Sequence, residues 1–414
     1  MPAPDRSART RGSVYLMVLA AGVALTTLGI AGLALVRSQR RAEVLGHDAE
    51  ACRRATQSAL ELAVGQFTAD PTGVDSWRKD TSATIFDTWL GNTQIAVLAE
   101  DPLDADLSDS PDDPVLLTAT ARRGSARQMV RVRLDTTLSN LPCLNAAVWA
   151  GSAISINSGT VYADATVGSN GGVVASTATV GASVAGASVS GSTYLGQTRV
   201  VTQGLAMPDA SSIDAWKRKG VVIPYASIPG GAITNCVLSA ASNPFGSLSP
   251  TGVYVINCNG NALTIDRCRV NATLVIINAR SDSKVGSSCL IQAPDGQPAI
   301  LVDGSLMLEL RASDLAESST GNLNPSGTPY LGVSDSDAAD SYPSMIEGLV
   351  FVTGNLYVTS SSDVTVEGVV LVGGSLRIDT RLNVRHRPPR TPIEGFREVV
   401  GFALDPNTVE RVVD

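Results

Sequence analysis

The chain has 414 residues, a net charge of −8 and only 4% aromatic side chains. That length exceeds one ordinary domain, and so few aromatics exclude a core built on large rings. Charge is uneven: residues 1–54 carry eight Arg against Asp5, Glu43, Asp48 and Glu50, which leaves the remainder at −12 and argues against a nucleic-acid ligand.

Arg6, Arg9 and Arg11 precede Val14 to Val36, a run of 23 residues without a charge. As a helix it is about 35 Å long, enough to cross a bilayer core of about 30 Å. It is too long for the core of a signal peptide and reads as a retained anchor. Arg37, Arg40 and Arg41 follow directly, so the charge rule for orientation is nearly balanced. A short tail before a long polar body predicts a cytoplasmic N-terminus and a periplasmic or extracellular body. The basic flanks suit membrane lipid.

The helical pattern continues past the span. Leu45, Ala49, Cys52, Thr56, Ala59, Ala63 and Phe67 recur at steps of three and four, and no Pro interrupts from Asp5 to Asp70. One helix from about Ser13 to Thr68 is predicted, ended by Pro71 and Gly73. Its second half offers a narrow apolar stripe to a sheet or a partner.

The stretch Arg11-Gly12-Ser13-Val14-Tyr15-Leu16-Met17-Val18-Leu19 resembles the N-terminus of type IV pilin-like proteins, especially atypical minor pilins and tip pseudopilins of secretion systems. The resemblance covers about 60 residues. It implies peptidase cleavage between Gly12 and Ser13. It also implies partnership with pilin-like or secretion-system subunits through the helix. The family usually has Glu at the fifth mature position, where this chain has Met17. An uncleaved signal anchor is the alternative.

Residues 37–140 read as this helix plus a small antiparallel sheet. Gln94 to Ala99 is a predicted strand, and Val115 to Arg123 with Ala126 to Leu134 a predicted hairpin around Gly124-Ser125. The acidic loop between them can hold Ca²⁺ through Asp101, Asp104, Asp106 and Asp109, or be a solvated loop without EF-hand spacing.

Gly348 to Val358 and Gly368 to Ile378 match position by position, 20 residues apart. Ala299 to Leu308 is an earlier copy and Ile256 to Ile265 a weaker one. Short Gly-bearing units of β-branched residues predict coils that bury one continuous column. Residues 145–385 are therefore expected to form a right-handed parallel β-helix, or β-solenoid, with excursions at 206–229 and 311–345. Low-complexity Ala153 to Gly196 is expected to make thin coils with Val167, Val180, Val184 and Val189 inward. Residues 386–414 are expected to cap the last coil.

The six Cys form no C-x-x-C pair, and two His make a zinc centre improbable. They read as small buried hydrophobes, with Cys258 and Cys268 the pair to bridge in an oxidising compartment. Asp303, Glu309, Asp314 and Glu317 are the nearest carboxylates to a polysaccharide-cleaving set, but Asp303 stands where the sibling repeats have Thr353 and Gly373. No catalytic residue and no cofactor is expected.

The sequence thus predicts a mainly β, membrane-anchored envelope protein: basic leader or tail 1–12, span 13–36, pilin-like α+β domain, solenoid and cap. Assembly through the helix, with adhesion or recognition by the solenoid, is the expected role. A tethered surface protein that binds or cleaves polysaccharide is the alternative.

Overall fold

A computed structural model describes residues 7–73, 76–359 and 362–412. The chain divides into two compact units, one of residues up to Leu138 together with those from Val399, the other Ser139–Glu398. It is mainly β, with one long N-terminal apolar helix.

In the first unit, helix α1 (Ser7–Ala69) runs without a break for 63 residues. Half of the expected leader, residues 7–12, is part of it; residues 1–6 lie outside the described residues. The helix ends as the sequence indicates. Gly73 turns at φ +62°, and a Cβ there would sit 2.3 Å from the Trp77 ring. Trp77 in turn packs on Phe67, with ring centroids 4.3 Å apart.

The sheet comprises β1 (Ser82–Leu90), β2 (Thr93–Glu100), β3 (Val115–Arg123) and β4 (Ala126–Asn140), in that order. Neighbours are antiparallel, and the β3–β4 hairpin closes at Gly124-Ser125 as expected. Strand β1 was not foreseen. Cys52, Ala55, Ala59, Ala63 and Phe67 are buried against Ile95, Val97, Leu117 and Ala119. Four of those five helix residues are small, which lets the helix lie close to the sheet. The stripe begins at Cys52: Leu45 and Ala49, expected within it, are exposed.

The segment expected as a C-terminal cap does something else. Arg397–Leu404 and Glu410–Val412 both pair with β4 and complete the first unit's sheet. Exposed backbone on an edge strand seeks pairing, and β4 receives it from the far end of the chain.

Among the described residues, the second unit is built on one sheet of 23 strands whose ladders are parallel. Each coil contributes to three ladders. In one, Ile233, Ile265, Val285, Leu308, Val358, Ile378, Ile156 and Ala175 stand in register as one inward column. All eight are buried in a common apolar core. The two best repeats pair as they align, with Gly348 opposite Gly368 and Leu356 opposite Leu376. A Cβ on Gly368 would lie 1.9 Å from the Gly348 carbonyl oxygen, so the stacked corner has room only for glycine.

The order of coils differs from the sequence. Val148–Ala150 pairs with Val167–Ser169 on one side and with Val370 to Val372 on the other. Arg381–His386 likewise lies between Asp363–Val372 and Val161 to Ala163. The chain therefore enters mid-stack and builds outward to Thr198–Val200. It restarts at Val221–Val222 on the opposite end and returns to dock on its own first coil. The last coil is internal and has no exposed end to cap.

Helix α2 (Ser211–Lys219) belongs to the crossing segment and packs against Val253–Asn257, Thr273–Ala279 and Ile300–Gly304. Those strands are apolar on both sides. Tyr254, Ile256, Leu274 and Ile276 face the column. Val253, Val255, Val275 and Leu301 face Ile213, Ala215 and Trp216 of α2. Two buried faces explain why these strands read as unbroken hydrophobic runs. Residues 153–196 form strands in parallel pairs, with Val167, Val180 and Val184 buried and Val189 half-buried against the core.

Candidate functional site

From Val14 to Val36 the helix is apolar and solvent-facing throughout, with Met17 75% exposed. This helix is long and apolar enough to cross a membrane. Its hydroxyls are satisfied within it: Thr26 Oγ1 donates to Gly22 O at 2.7 Å and Thr27 Oγ1 to Val23 O at 3.0 Å. Internal bonding of this kind is what a hydrocarbon environment demands. Gly22, Gly29 and Gly32 leave open space where a Cβ would stand. Gly12 and Ser13 fall inside α1, and the described side chains begin at Val14.

The acidic loop gathers a different set from the expected one. Asp101, Asp109 and Asp113 bring carboxylate oxygens within 4.8 Å of one another. Asp104 and Asp106 are not in that set; like Asp101, which accepts from Leu103 N at 2.6 Å, each accepts from a backbone N–H two residues on, Asp104 from Asp106 N at 2.9 Å and Asp106 from Ser108 N at 3.0 Å. Asp113 joins because Arg78, 3% exposed, draws the loop inward. Its guanidinium donates to Ser110 O at 2.7 Å and Asp113 O at 2.8 Å. Burial and the charges of Asp101 and Asp109 push the Asp113 carboxyl above its ordinary value. No spacing rule in the sequence announces Arg78, so Asp113 was not separable from its neighbours.

The six cysteines are free. The expected Cys258–Cys268 pair is not brought together as a bridge. Cys268 Sγ lies 3.8 Å from Cys236 Sγ. Cys236, Cys268 and Cys289 occupy the same corner of three successive coils, as the flanking registers require. Burial pushes the Cys143 thiol up to about 12 and that of Cys258 up to about 11.

Three of the four carboxylates weighed for catalysis have separate structural partners. Glu309 pairs with Lys284 at 2.8 Å, and Asp303 accepts from Thr353 Oγ1 at 3.3 Å. Asp314 is exposed. Glu317, 1% exposed, accepts from Tyr342 Oη at 2.7 Å. In the Lys217–Lys219 run, Lys217 pairs with Asp214 within α2, and Lys219 ties the helix to Glu394 while lying 4.7 Å over the Trp216 ring. His386 Nε2 is bound to Leu144 O at 2.9 Å.

A cleft of about 850 Å³ opens beside the ladder in which Glu347 pairs with Glu367. Pro294, Glu347, Glu367, Arg387 and Arg390 line it. Glu347 and Glu367 are register neighbours there, and Glu367 forms an ion pair with Arg385.

No protein-family model matches the chain, and no curated protein matches it. Among solved structures, the competence-associated pilin ComZ of Thermus thermophilus is similar at 10% identity and a TM-score of 0.33. That match covers 88% of this chain and 98% of ComZ. An ice-binding protein from an Antarctic biological consortium matches at 12% identity and a TM-score of 0.27, over 61% of this chain and 94% of that one. An ice-binding protein of the Antarctic ascomycete Antarctomyces psychrotrophicus matches at 12% identity and 0.22, over 60% and 99%.

Proposed function

We propose that this protein is a non-enzymatic, membrane-anchored envelope component of minor-pilin or pseudopilin type. It assembles through α1 with other pilin-like or secretion-system subunits. Its parallel β body is a β-solenoid, held in the periplasm or outside the cell for adhesion or recognition. The N-terminus is cytoplasmic, and Gly12–Ser13 is the processing site.

One observation carries this reading. A single helix is bare and apolar over Val14 to Val36, then packs on an antiparallel sheet from Cys52 to Phe67. Such a helix fixes a folded unit at a set distance from the bilayer. It also leaves its outer half free to pack with like helices, where small residues such as Gly22 and Gly29 allow close approach.

A second reading rests on the cleft lined by Glu347, Glu367, Arg387 and Arg390. Carboxylates and arginines suit a surface polysaccharide, with the anchor acting only as a tether.

A photoreactive side chain at Leu28, tested in native membranes, separates the two. Assembly predicts an adduct to a second helix-bearing membrane subunit, and no such adduct from position 284 on the body. Adducts to lipid alone from position 28 would overturn assembly through α1.

A further inference from the structure

One end of the first unit's sheet is turned toward the apolar span. Ser125, at the tip of the β3–β4 hairpin, shares a pocket with Arg40, Arg41, Val44 and Leu45 of α1. Arg123 beside it pairs with Asp48 at 2.9 Å. Phe67 and Trp77 pack together at the far end of the helix. The β1–β2 hairpin turns at the level of Ser125. Trp89 stands opposite Gln94, Gln94 opposite Arg122, and Arg122 opposite Arg127. That row across the sheet lies beside both turns, Gly91-Asn92 and Gly124-Ser125.

The side chains at this end are those of a membrane interface. Trp89 is 67% exposed and Leu90 46%, whereas Trp77, Trp149 and Trp216 are each 5% exposed or less. Arg122 and Arg127 are exposed in the same row. On the helix, Val44 and Leu45 are exposed next to Arg40 and Arg41. A Trp ring joins an apolar body to a polar N–H and suits the headgroup layer, and arginines there attract anionic lipid. The local charge has the matching sign: Arg37, Arg40, Arg41, Arg122, Arg123 and Arg127 stand against Glu43, Asp48 and Asp87.

The geometry brings this end within reach of lipid. Leu45 is nine residues past Val36, about 13 Å along the helix axis. The headgroup layer is only about 5–8 Å deep on each side, so an upright helix would hold the hairpin tips above it. The span, however, is about 35 Å long for a core of about 30 Å, and a tilt of about 30° absorbs the excess. The tips stand to one side of the helix axis by about one layer spacing, ~10 Å. Tilting toward the sheet therefore lowers them to about 7 Å from the hydrocarbon, inside the headgroup layer. Tilt direction is set by interfacial anchors, and Trp89 is placed to be one.

We propose that this end of the first unit, with Trp89 and Leu90 at its tip and Arg122 and Arg127 behind them, docks on the anionic lipid surface of the leaflet it faces and fixes the tilt of the span. The proposal rests on α1 being a membrane anchor and not on its assembly with other subunits.

The test is fluorescence quenching of the full-length protein, reconstituted in vesicles of equal parts phosphatidylglycerol and phosphatidylcholine, with and without acyl chains brominated near the headgroup. Trp89→Phe isolates the emission of Trp89. The side chain is exposed at a hairpin tip, and equal melting of variant and wild type in detergent verifies an intact fold. The expected result is that brominated lipid removes most of the emission that Trp89→Phe removes. That quenching should fall about twofold or more in vesicles of phosphatidylcholine alone, and likewise in the double variant Arg122→Gln, Arg127→Gln. Trp89 emission equal in brominated and plain vesicles, from protein that floats with them, would overturn the docking and leave the anchor standing. Protein that does not float with the vesicles would overturn anchor and docking together. Quenching unchanged both in phosphatidylcholine alone and in the double variant would overturn recognition of anionic lipid.

Discussion

Asn157 Nδ2 donates to Asp379 Oδ1 at 2.7 Å across 222 residues of sequence. This bond marks the seam where the last coil docks on the first. Ser158 Oγ adds a second bond, to Asp379 O at 2.6 Å. The column of apolar side chains is continuous through the seam, so the body closes as one core although its coils are out of chain order.

Asp379→Ala is expected to cost about 1–2 kcal/mol, since it removes a charged acceptor that is only partly screened. Burial opposes ionisation of Asp379, but hydrogen bonds from Arg377 and Asn157 outweigh it and hold its carboxyl below the ordinary 3.8. A carboxyl lowered on folding stabilises above its unfolded pKa, and that contribution is lost as pH falls through the folded value. Chemical denaturation should show the variant's deficit in full at neutral pH, shrinking below about pH 4.

Gly368→Ala drives a methyl into the Gly348 carbonyl oxygen. The expected loss is about 1–3 kcal/mol or more, because a stacked backbone cannot yield as a side chain does. Gly401→Ala, with nothing within 4 Å of its Cβ, is the neutral control in the same denaturation experiment.

Trp216 is 4% exposed, and its Nε1 donates to Glu394 O at 3.0 Å. Trp216→Ala should cost about 3–5 kcal/mol and uncover the apolar outer face of Val253–Asn257 and its neighbours. Increased binding of a hydrophobic dye together with a lower denaturation midpoint would report both effects.

Five of the six thiols are buried, and Cys236 is partly exposed. The native protein should therefore react with a maleimide at no more than one position. After unfolding without reductant all six should react. Four reactive thiols would instead reveal a bridge.

Elements with a local cause were legible in the sequence. The long helix followed from the absence of Pro between Asp5 and Asp70, and the hairpin from Gly124-Ser125. The pairing of Gly348 with Gly368 was visible because neighbouring coils repeat the same chain geometry. The seam was not legible: nothing local to Val148 names Val370 as its partner, and a repeat pattern is silent on the order of coils. The same limit hid β4's C-terminal partner strands and the arrival of Asp113 beside Asp101. Each depends on a distant group, such as Arg78, whose role appears only on folding. Leu45 and Ala49 share the helical period of Cys52 but lie beyond the reach of the sheet.

Mass spectrometry of the intact protein recovered from native membranes tests the central claim most directly. A chain beginning at Ser13 is the predicted result, with loss of the twelve preceding residues. A chain beginning at Met1 or Pro2 would contradict processing of pilin type and leave α1 as a permanent signal anchor.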